Sequence, residues 1–269
     1  MFKDVTLGQY YPVDSPVHRL DPRVKLLALV IYIASLFIGD TFVMFIPATA
    51  FLVMVGVLSK VPFGIILKSI KPILPLIIIS AAFNIFMTPG YILCGWWIFN
   101  ITDKGIYVAV FMACRLAYLI AGSAYLTLTT SPNSITDGLE SGLGFLKVIK
   151  VPVHEIAMMM SIALRFIPIL SDEMQKIRKA QMARGADFES GNLIKRAKAL
   201  IPLLVPLFVS AFMRANELSL AMDARCYRGS EGRTKMKPLK HKPSDYAGYI
   251  ILFIYLAVVI LLRIFLPVW

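Results

Sequence analysis

Two short stretches of the sequence repeat one pattern, in which an arginine follows an alanine and precedes a small residue. The stretch 180–185 (AQMARG) matches 221–226 (AMDARC), and the two arginines lie 41 residues apart. A guanidinium presents a rigid fork of donors to acceptors in a partner, and a small alanine beside it lets the wall of a partner groove approach closely. The pattern therefore predicts two docking tips for partner proteins, formed by Ala183, Arg184 and Gly185 and by Ala224, Arg225 and Cys226.

The same residues also admit a purely structural interpretation. An arginine in the last turn of a helix offsets the helix dipole, and a glycine after it ends the helix in a left-handed cap. This interpretation explains Arg184 and Gly185 well. It explains the second copy less well, because Cys226 is not a typical capping residue. The pattern alone leaves docking and capping open.

Residues for bond-making chemistry are missing from the sequence. There is no GxxxxGK[ST] loop for nucleotide phosphates and no HExxH motif for zinc. The cysteines and histidines are isolated, which argues against a disulfide framework or a metal site. They are Cys94, Cys114, Cys226, His18, His154 and His241. We predict that this chain has no catalytic residue, no metal site and no cofactor of its own, so that any transport energy must come from partners.

The elements that carry the two tips belong to a membrane protein. Hydrophobic residues make up 58% of the chain, against about 45–50% in soluble domains, and they gather in long uncharged runs. A helix needs about twenty apolar residues to cross a bilayer, and several runs approach or exceed that length. The sequence predicts an all-α integral membrane protein with five transmembrane helices, around Leu26–Ile38, Phe42–Leu58, Ile73–Thr88, Gly105–Thr129 and Tyr246–Leu262.

The distribution of charge predicts the orientation of these spans. The chain carries 28 Lys and Arg against 16 Asp and Glu, and positive residues concentrate in cytoplasmic segments. Most of them fall in the N-terminal arm, in the second connection and in 130–244. The prediction is therefore a cytoplasmic N-terminus and an external C-terminus.

The segment between spans four and five is too apolar for a loop and too charged for spans. We interpret it as long amphipathic coupling helices at the cytoplasmic membrane face, around Ser134–Leu146, Val153–Arg184 and Asn192–Arg225. The predicted domains are 1–129, with the arm and spans one to four, 130–244, the cytoplasmic coupling-helix domain, and 245–269, the fifth span. Bend points are predicted at Pro168, Pro202 and Pro206. The adaptable apolar run Met158, Met159 and Met160 is a candidate contact for a partner subunit.

Several of these motifs together resemble a known family. The chain resembles the transmembrane (T) component of energy-coupling-factor importers, the ABC-type uptake systems of bacteria for vitamins and metal ions. The resemblance covers essentially the whole chain, and the two Ala-Arg motifs are its most specific part. In the family the motif reads Ala-Arg-Gly, and the second copy departs from it at Cys226. The other matching motifs are Asp21-Pro22-Arg23-x-Lys25, Thr129-Thr130-Ser131-Pro132 and Ala163-Leu164-Arg165-Phe166-Ile167-Pro168.

The resemblance implies a function without catalysis. Arg184 and Arg225 would each enter a groove on one of two ATPase subunits, which bind ATP and Mg²⁺. The long helices would form a platform beneath a separate substrate-binding membrane subunit. The chain would then be a multi-pass scaffold in the bacterial cell membrane, with its coupling helices in the cytoplasm.

Two other classes of function compete with this one. A self-contained secondary transporter would need an intramembrane ion site and inverted repeats, and spans one to four show neither. A membrane enzyme acting on lipid phosphate through Arg115 and Arg165 would need a nucleophile or a metal, and the sequence offers none. Arg115 itself, inside the fourth span, would have a buried partner or line a water-filled site, or else it would snorkel to the headgroups or make a helix-packing hydrogen bond.

Overall fold

The computed structural model describes residues 10–96, 99–188, 190, 192–229, 239 and 241–265. Within these residues the chain is helical apart from one short antiparallel hairpin, so the predicted helical fold class is confirmed. Short 3-10 turns precede α3, precede α5 and follow α7. The elements are α1 (Pro16–Arg19), α2 (Pro22–Ile38), α3 (Phe45–Ser59), α4 (Phe63–Ile70), α5 (Leu74–Met87), β1 (Ile92–Trp96), β2 (Phe99–Thr102), α6 (Asp103–Thr129), α7 (Pro132–Gly142), α8 (Val153–Ala183), α9 (Leu193–Ala224) and α10 (Pro243–Phe265).

The chain divides into two compact units. The first contains 1–142 and 239–269, and the second contains 143–238. Helices α1 to α7 and α10 therefore belong to the first unit, and α8 and α9 to the second. The three predicted domains were drawn from membrane topology and stay a prediction.

Among the residues that the structure describes, six helical stretches are long and apolar enough to cross a membrane. Four of them coincide with predicted spans. The remaining predicted span corresponds to α2, which has 17 residues and is slightly shorter than any of the six. The other two are α8 and most of α9, which the sequence predicted to lie along the membrane face. The six stretches are Phe42–Ser59, Phe63–Met87, Asp103–Thr129, Val153–Ala183, Lys198–Ala224 and Pro243–Phe265.

The start of α2 follows from its first residues. The carboxylate of Asp21 accepts a hydrogen bond from the backbone N–H of Arg23 at 2.9 Å, and Pro22 occupies the first turn. Proline fits there because its missing N–H would have no partner in the helix anyway. Asp21 and Pro22 together therefore fix where α2 begins.

An aromatic core holds α2, α3, α6 and α10 together. Tyr32 is almost fully buried, stacks on Phe51 and Tyr255, and donates its hydroxyl to the carbonyl of Tyr118 at 3.1 Å. Its ring fits because Gly122 of α6 has no side chain. A Cβ at that position would lie 2.4 Å from a carbon of the Tyr32 ring. The first unit is thus fixed by close helix packing, as is common where small residues let helices approach in membranes.

Candidate functional site

The first predicted docking tip lies at the C-terminal end of α8. Gly185 has a left-handed backbone with φ of 88°. Its N–H donates to the carbonyl of Met182 at 3.0 Å, and the N–H of Ala186 donates to the carbonyl of Gln181 at 3.0 Å. These two bonds define a Schellman cap, with Arg184 as the last residue before the reversal.

The second tip, at the end of α9, has the same backbone. Cys226 takes the left-handed conformation with φ of 54°, and its N–H donates to the carbonyl of Asp223 at 2.9 Å. The N–H of Tyr227 donates to the carbonyl of Met222 at 3.0 Å. The expectation that Cys226 fits a cap poorly is therefore wrong. Both copies of the motif form one kind of helix end, despite the cysteine.

The caps are formed by backbone hydrogen bonds alone, so they do not require the side chains of the two arginines. Arg184 and Arg225 are exposed, as are Ala183 and Ala224 beside them. Neither guanidinium donates to a side chain or carbonyl among the residues that the structure describes. Backbone N–H groups of each cap donate to helix carbonyls instead, to those of Gln181 and Met182 at the first tip and to those of Met222 and Asp223 at the second. Two matching helix ends thus each present an exposed guanidinium that bonds no described residue and is flanked by small residues.

The cysteine in the left-handed position gives the first prediction. The left-handed conformation costs a non-glycine residue about 1–2 kcal/mol. Glycine avoids this cost but loses more conformational entropy on folding, which offsets about 0.5–1 kcal/mol of the gain. Cys226→Gly should therefore raise the free energy of unfolding by about 0.5–1 kcal/mol. The midpoint of thermal unfolding in detergent should rise by roughly 2–3 °C.

The matched control for this prediction is the reverse substitution at the first tip. A Cβ on Gly185 would meet no atom within 4 Å, so only its φ of 88° opposes a side chain. Gly185→Cys should lower the midpoint by a similar amount. Equal midpoints for the wild type and both variants would contradict the assignment of strain to these positions.

Helices α8 and α9 contact each other at matching distances from their tips. A guanidinium nitrogen of Arg214 donates to a carboxylate oxygen of Glu173 at 3.4 Å, and these two residues are 41 positions apart, as are the two tip arginines. Each member of the pair precedes its own tip arginine by eleven residues. At 1.5 Å per residue, both helices extend about 16 Å from this ion pair to their tips.

Helix α9 exposes an apolar stripe on the N-terminal side of this ion pair. Its large apolar residues recur in adjacent pairs every four positions, which places them along one side of the helix. Phe208 and Phe212 are more than 60% exposed. The exposed members from 200 to 213 are Leu200, Ile201, Leu204, Val205, Phe208, Val209, Phe212 and Met213. A stripe of this size needs cover from lipid or protein.

The predicted methionine run contributes a similar surface on α8. Met159 and Met160 are exposed, Met159 at 59%, while Met158 is half-buried. Ala157 beside them is buried, so this part of α8 has one packed and one free side. Sequence reasoning therefore identified a free apolar surface on both long helices.

The three prolines predicted as bend points lie inside continuous helices. Pro168 lies within α8, and Pro202 and Pro206 lie within α9. Each proline removes one N–H from the helix ladder and clashes with the carbonyl four residues earlier. Their role as hinges stays a prediction.

The structure also brings two sequence motifs together in a way that sequence reasoning missed. Lys25, although charged, is buried, and its ammonium donates to the carbonyl of Thr129 at 2.9 Å and to that of His18 at 3.2 Å. Burial lowers the pKa of Lys25, which precedes the apolar run of α2, to about 8, and the carboxylates of Asp21 and Asp245 oppose that shift. The lysine thus ties the start of α2 to the end of α6.

Asp245 completes this buried polar cluster from α10. One carboxylate oxygen accepts from the backbone N–H of Asp21 at 2.9 Å, and the other accepts from that of Lys242 at 2.6 Å. His241 lies close enough that its ring nitrogen and the two carboxylates fall within 4.8 Å of one another. However, the guanidinium of Arg23 already lies 3.4 Å from His241 and 3.9 Å from Asp21. Backbone donors and protein cations use these ligand atoms, so the cluster fits a structural tether between helix starts.

Arg115 in α6 has a structural partner. It is buried and donates to the carbonyl of Gly39 at 2.7 Å, with a carboxylate oxygen of Asp40 at 3.7 Å. The guanidinium also lies over the ring of Phe111 at 4.6 Å. It therefore holds the turn between α2 and α3 against α6, which is the helix-packing alternative for this residue.

Comparison with known proteins places these features in a family. The family model described as cobalt transport protein, CbiQ, matches residues 14–236. The chain is 52% identical over 266 residues to the energy-coupling factor transporter transmembrane protein EcfT of Clostridium kluyveri, covering 98% of each protein. It is 49% identical over 263 residues to the protein of that name in Ruminiclostridium cellulolyticum, covering 98% of each. It is 44% identical over 264 residues to that of Bacillus subtilis, covering 98% of this chain and 100% of the relative.

Proposed function

This chain belongs to the CbiQ family of transport proteins, and on that premise we propose that it is the coupling subunit of an ATP-driven vitamin or metal-ion importer. It would transmit conformational change from two ATPase subunits to a separate substrate-binding membrane subunit. The chain itself would be non-catalytic, with ATP and Mg²⁺ bound by the ATPases. The observation that carries this proposal is a pair of exposed arginines on matching helix caps, neither of which bonds another residue in the part of the chain that the structure describes.

Each tip suits one ATPase subunit. The two caps share their backbone geometry, so two similar grooves would each accept one arginine and the alanine before it. An arginine buried in such a groove would pair with acceptors through its planar fork. Co-purification with the wild-type chain tests this arrangement, because one ATPase subunit on each tip requires two ATPase subunits for every copy of this chain.

Movement of the tips would reach the rest of the second unit through the contact between α8 and α9. The ion pair of Glu173 and Arg214 lies equally far from both tips, so displacement of either tip would act on this contact over a similar length. Pro168, Pro202 and Pro206 would supply the bends. The ATPases must bind the tips differently in their nucleotide states, because equal affinity would shift no equilibrium.

The topology that we propose has five transmembrane helices, a cytoplasmic N-terminus and an external C-terminus. Helices α8 and α9 would lie at the cytoplasmic face, with their apolar surfaces covered by the substrate-binding subunit and by lipid. The charge distribution supports this arrangement. A crossing by α9 would place the positive residues that follow Ala224 on the opposite side from Lys195.

Cysteine labelling in intact cells tests this topology. In a background without native cysteines, Tyr91→Cys, at an 84% exposed position between α5 and α6, should react with an impermeant maleimide. Asp187→Cys, between α8 and α9, should react only after the cells are opened. Labelling of Asp187→Cys in intact cells would contradict the proposed cytoplasmic location of the coupling helices.

The methionine surface gives a prediction about the membrane partner. Met159→Glu places a charge on an exposed apolar position and should impair assembly with the substrate-binding subunit by at least tenfold, since burying an unpaired charge is costly. ATPase docking should persist. The matched control is Ser161→Glu, which adds the same charge at an exposed polar position on the other side of α8. Loss of ATPase docking before loss of the membrane partner would contradict this division of surfaces.

A further inference from the structure

An apolar groove opens between α3 and α4, with α6 as its floor. It has a volume of about 640 Å³, within the range of about 300–1,000 Å³ that is common for binding pockets. The lining is largely aliphatic and aromatic. We call it the α3–α4 groove, and its outer lining includes Thr49, Val53, Val57, Lys60, Phe63 and Leu67.

The groove has one charged end. Lys60 follows the last residue of α3 in a left-handed conformation, with φ of 56°. The turn is fixed by Ser59, whose buried hydroxyl donates to the carbonyl of Gly56 at 3.0 Å and accepts from the N–H of Val61 at 3.4 Å. The left-handed conformation strains a lysine, and strain of this kind concentrates at binding sites.

The ammonium of Lys60 has no fixed partner within the described part of the chain. The pKa of the Asp14 carboxyl is lowered chiefly by Arg19 and to a smaller degree by Lys60. Asp14 is ion-paired with Arg19 and therefore does not occupy Lys60. The hydroxyl of Tyr125 lies against Gly56, about one helical turn deeper than Lys60, and lines the same groove. It likewise makes no hydrogen bond to a residue that the structure describes.

The length of the groove matches one leaflet of a bilayer. It runs from Lys60 to Thr49, eleven residues or about 16 Å along the helix. Half of a hydrocarbon core of about 30 Å is about 15 Å. At the far end the hydroxyls of Thr49 and Tyr118 bond each other at 2.6 Å, so they offer little to an added polar ligand.

We infer that the α3–α4 groove binds one phospholipid with an anionic headgroup. Its phosphate would meet the ammonium of Lys60, an ester oxygen would accept from the hydroxyl of Tyr125, and one acyl chain would fill the groove as far as Thr49. The charge at one end, the free hydroxyl one turn deeper and the length of one leaflet together favour a lipid over a partner helix. This inference is independent of the proposed coupling function.

Native mass spectrometry of the full chain in detergent tests the site. The protein is titrated with phosphatidylglycerol or with phosphatidylcholine of identical chains. The wild type should bind the first phosphatidylglycerol more tightly than the first phosphatidylcholine. Lys60→Asn should reduce that preference about fivefold, the change that corresponds to about 1 kcal/mol per lysine at an anionic surface.

The choice of variants separates binding from folding. Asparagine tolerates the left-handed conformation better than lysine, so Lys60→Asn removes the charge without straining the turn. Lys60→Arg should keep the preference, and the matched control Lys104→Asn, at the opposite end of α6, should leave it unchanged. No preference in the wild type, or an undiminished preference in Lys60→Asn, would overturn the proposal.

A photo-crosslinking residue at Val57, which is 72% exposed, identifies the occupant in membranes. Irradiation of cells with the assembled transporter should add the mass of a phospholipid to this chain. An adduct with the mass of another polypeptide would instead assign the groove to a partner subunit and overturn the lipid site.

Discussion

Replacing both Arg184 and Arg225 by alanine is expected to abolish co-purification of the two ATPase subunits and ATP-dependent uptake, while the chain still inserts into the membrane. Both side chains are exposed and bond no other described residue, so their removal takes away no hydrogen bond or ion pair among the described residues. Truncating an arginine that is buried against acceptors in an interface costs about 2–5 kcal/mol. Each single substitution should therefore weaken docking by roughly 30-fold or more.

The capping alternative predicts a different outcome for the same variants. If the arginines only offset helix dipoles, their loss would cost about 0.3–1 kcal/mol of helix stability and ATPase binding would survive. Lysine separates the two roles, because it restores charge without the planar fork. Arg184→Lys should rescue docking poorly, while Lys179→Ala, an exposed cation earlier on α8, should leave it intact. Full assembly and uptake in the double alanine variant would contradict the coupling function.

The long helices were predictable because their signals are local. An apolar run, a capping aspartate and Pro22 in the first turn set the start of α2, and α8 begins at the predicted Val153 and ends within one residue of the prediction. Composition also indicated that α8 and α9 have apolar surfaces. It could not decide between a span and a surface helix, because length and hydropathy suit both.

At Cys226 the capping preference of the residue type gave the wrong expectation, whereas the repeat of 180–185 in 221–226 would have given the right one. Cysteine is not favoured in a left-handed cap, so preference alone argued against that conformation. The alignment of 221–226 with 180–185 places Cys226 at the position of Gly185, and the backbone bonds of the two caps correspond one to one. The repeat was therefore the better guide to local structure.

The buried polar cluster could not be predicted, because its contacts are long-range. Lys25 meets Thr129 across 104 positions, and Asp21 meets Asp245 across 224. Three of these residues, Asp21, Lys25 and Thr129, belong to motifs that carry the family resemblance, but no local spacing says that the motifs touch. One usable signal was present: Lys25 stands directly before an uncharged run, where a lysine must reach either lipid headgroups or buried carbonyls.

Asp245→Ala tests how much this cluster stabilises the first unit. Asp245 is only 1% exposed, and its removal leaves the N–H groups of Asp21 and Lys242 without their acceptor. The buried, unpaired N–H of Asp21 costs about 1–3 kcal/mol, that of the exposed Lys242 costs less, and the ammonium of Lys25 loses a neighbouring negative charge. We expect a loss of about 3–5 kcal/mol, the range observed when a buried charged network is broken. Thermal unfolding in detergent should shift down by roughly 10 °C.

Two control variants, Asp245→Asn and Asp14→Ala, show how the shift in unfolding temperature is to be interpreted. Asp245→Asn keeps one acceptor oxygen for a backbone N–H, so it should lose only part of the stability. Asp14→Ala removes an exposed carboxylate whose ion-pair partner is the equally exposed Arg19, and it should leave the midpoint unchanged within error. If Asp245→Ala unfolds at the wild-type temperature, water must satisfy both N–H groups, and the cluster would not be the tether between α2 and α10. A large loss in Asp245→Ala, with little in Asp14→Ala, would instead show that burial of the carboxylate, rather than charge alone, holds the helix starts together.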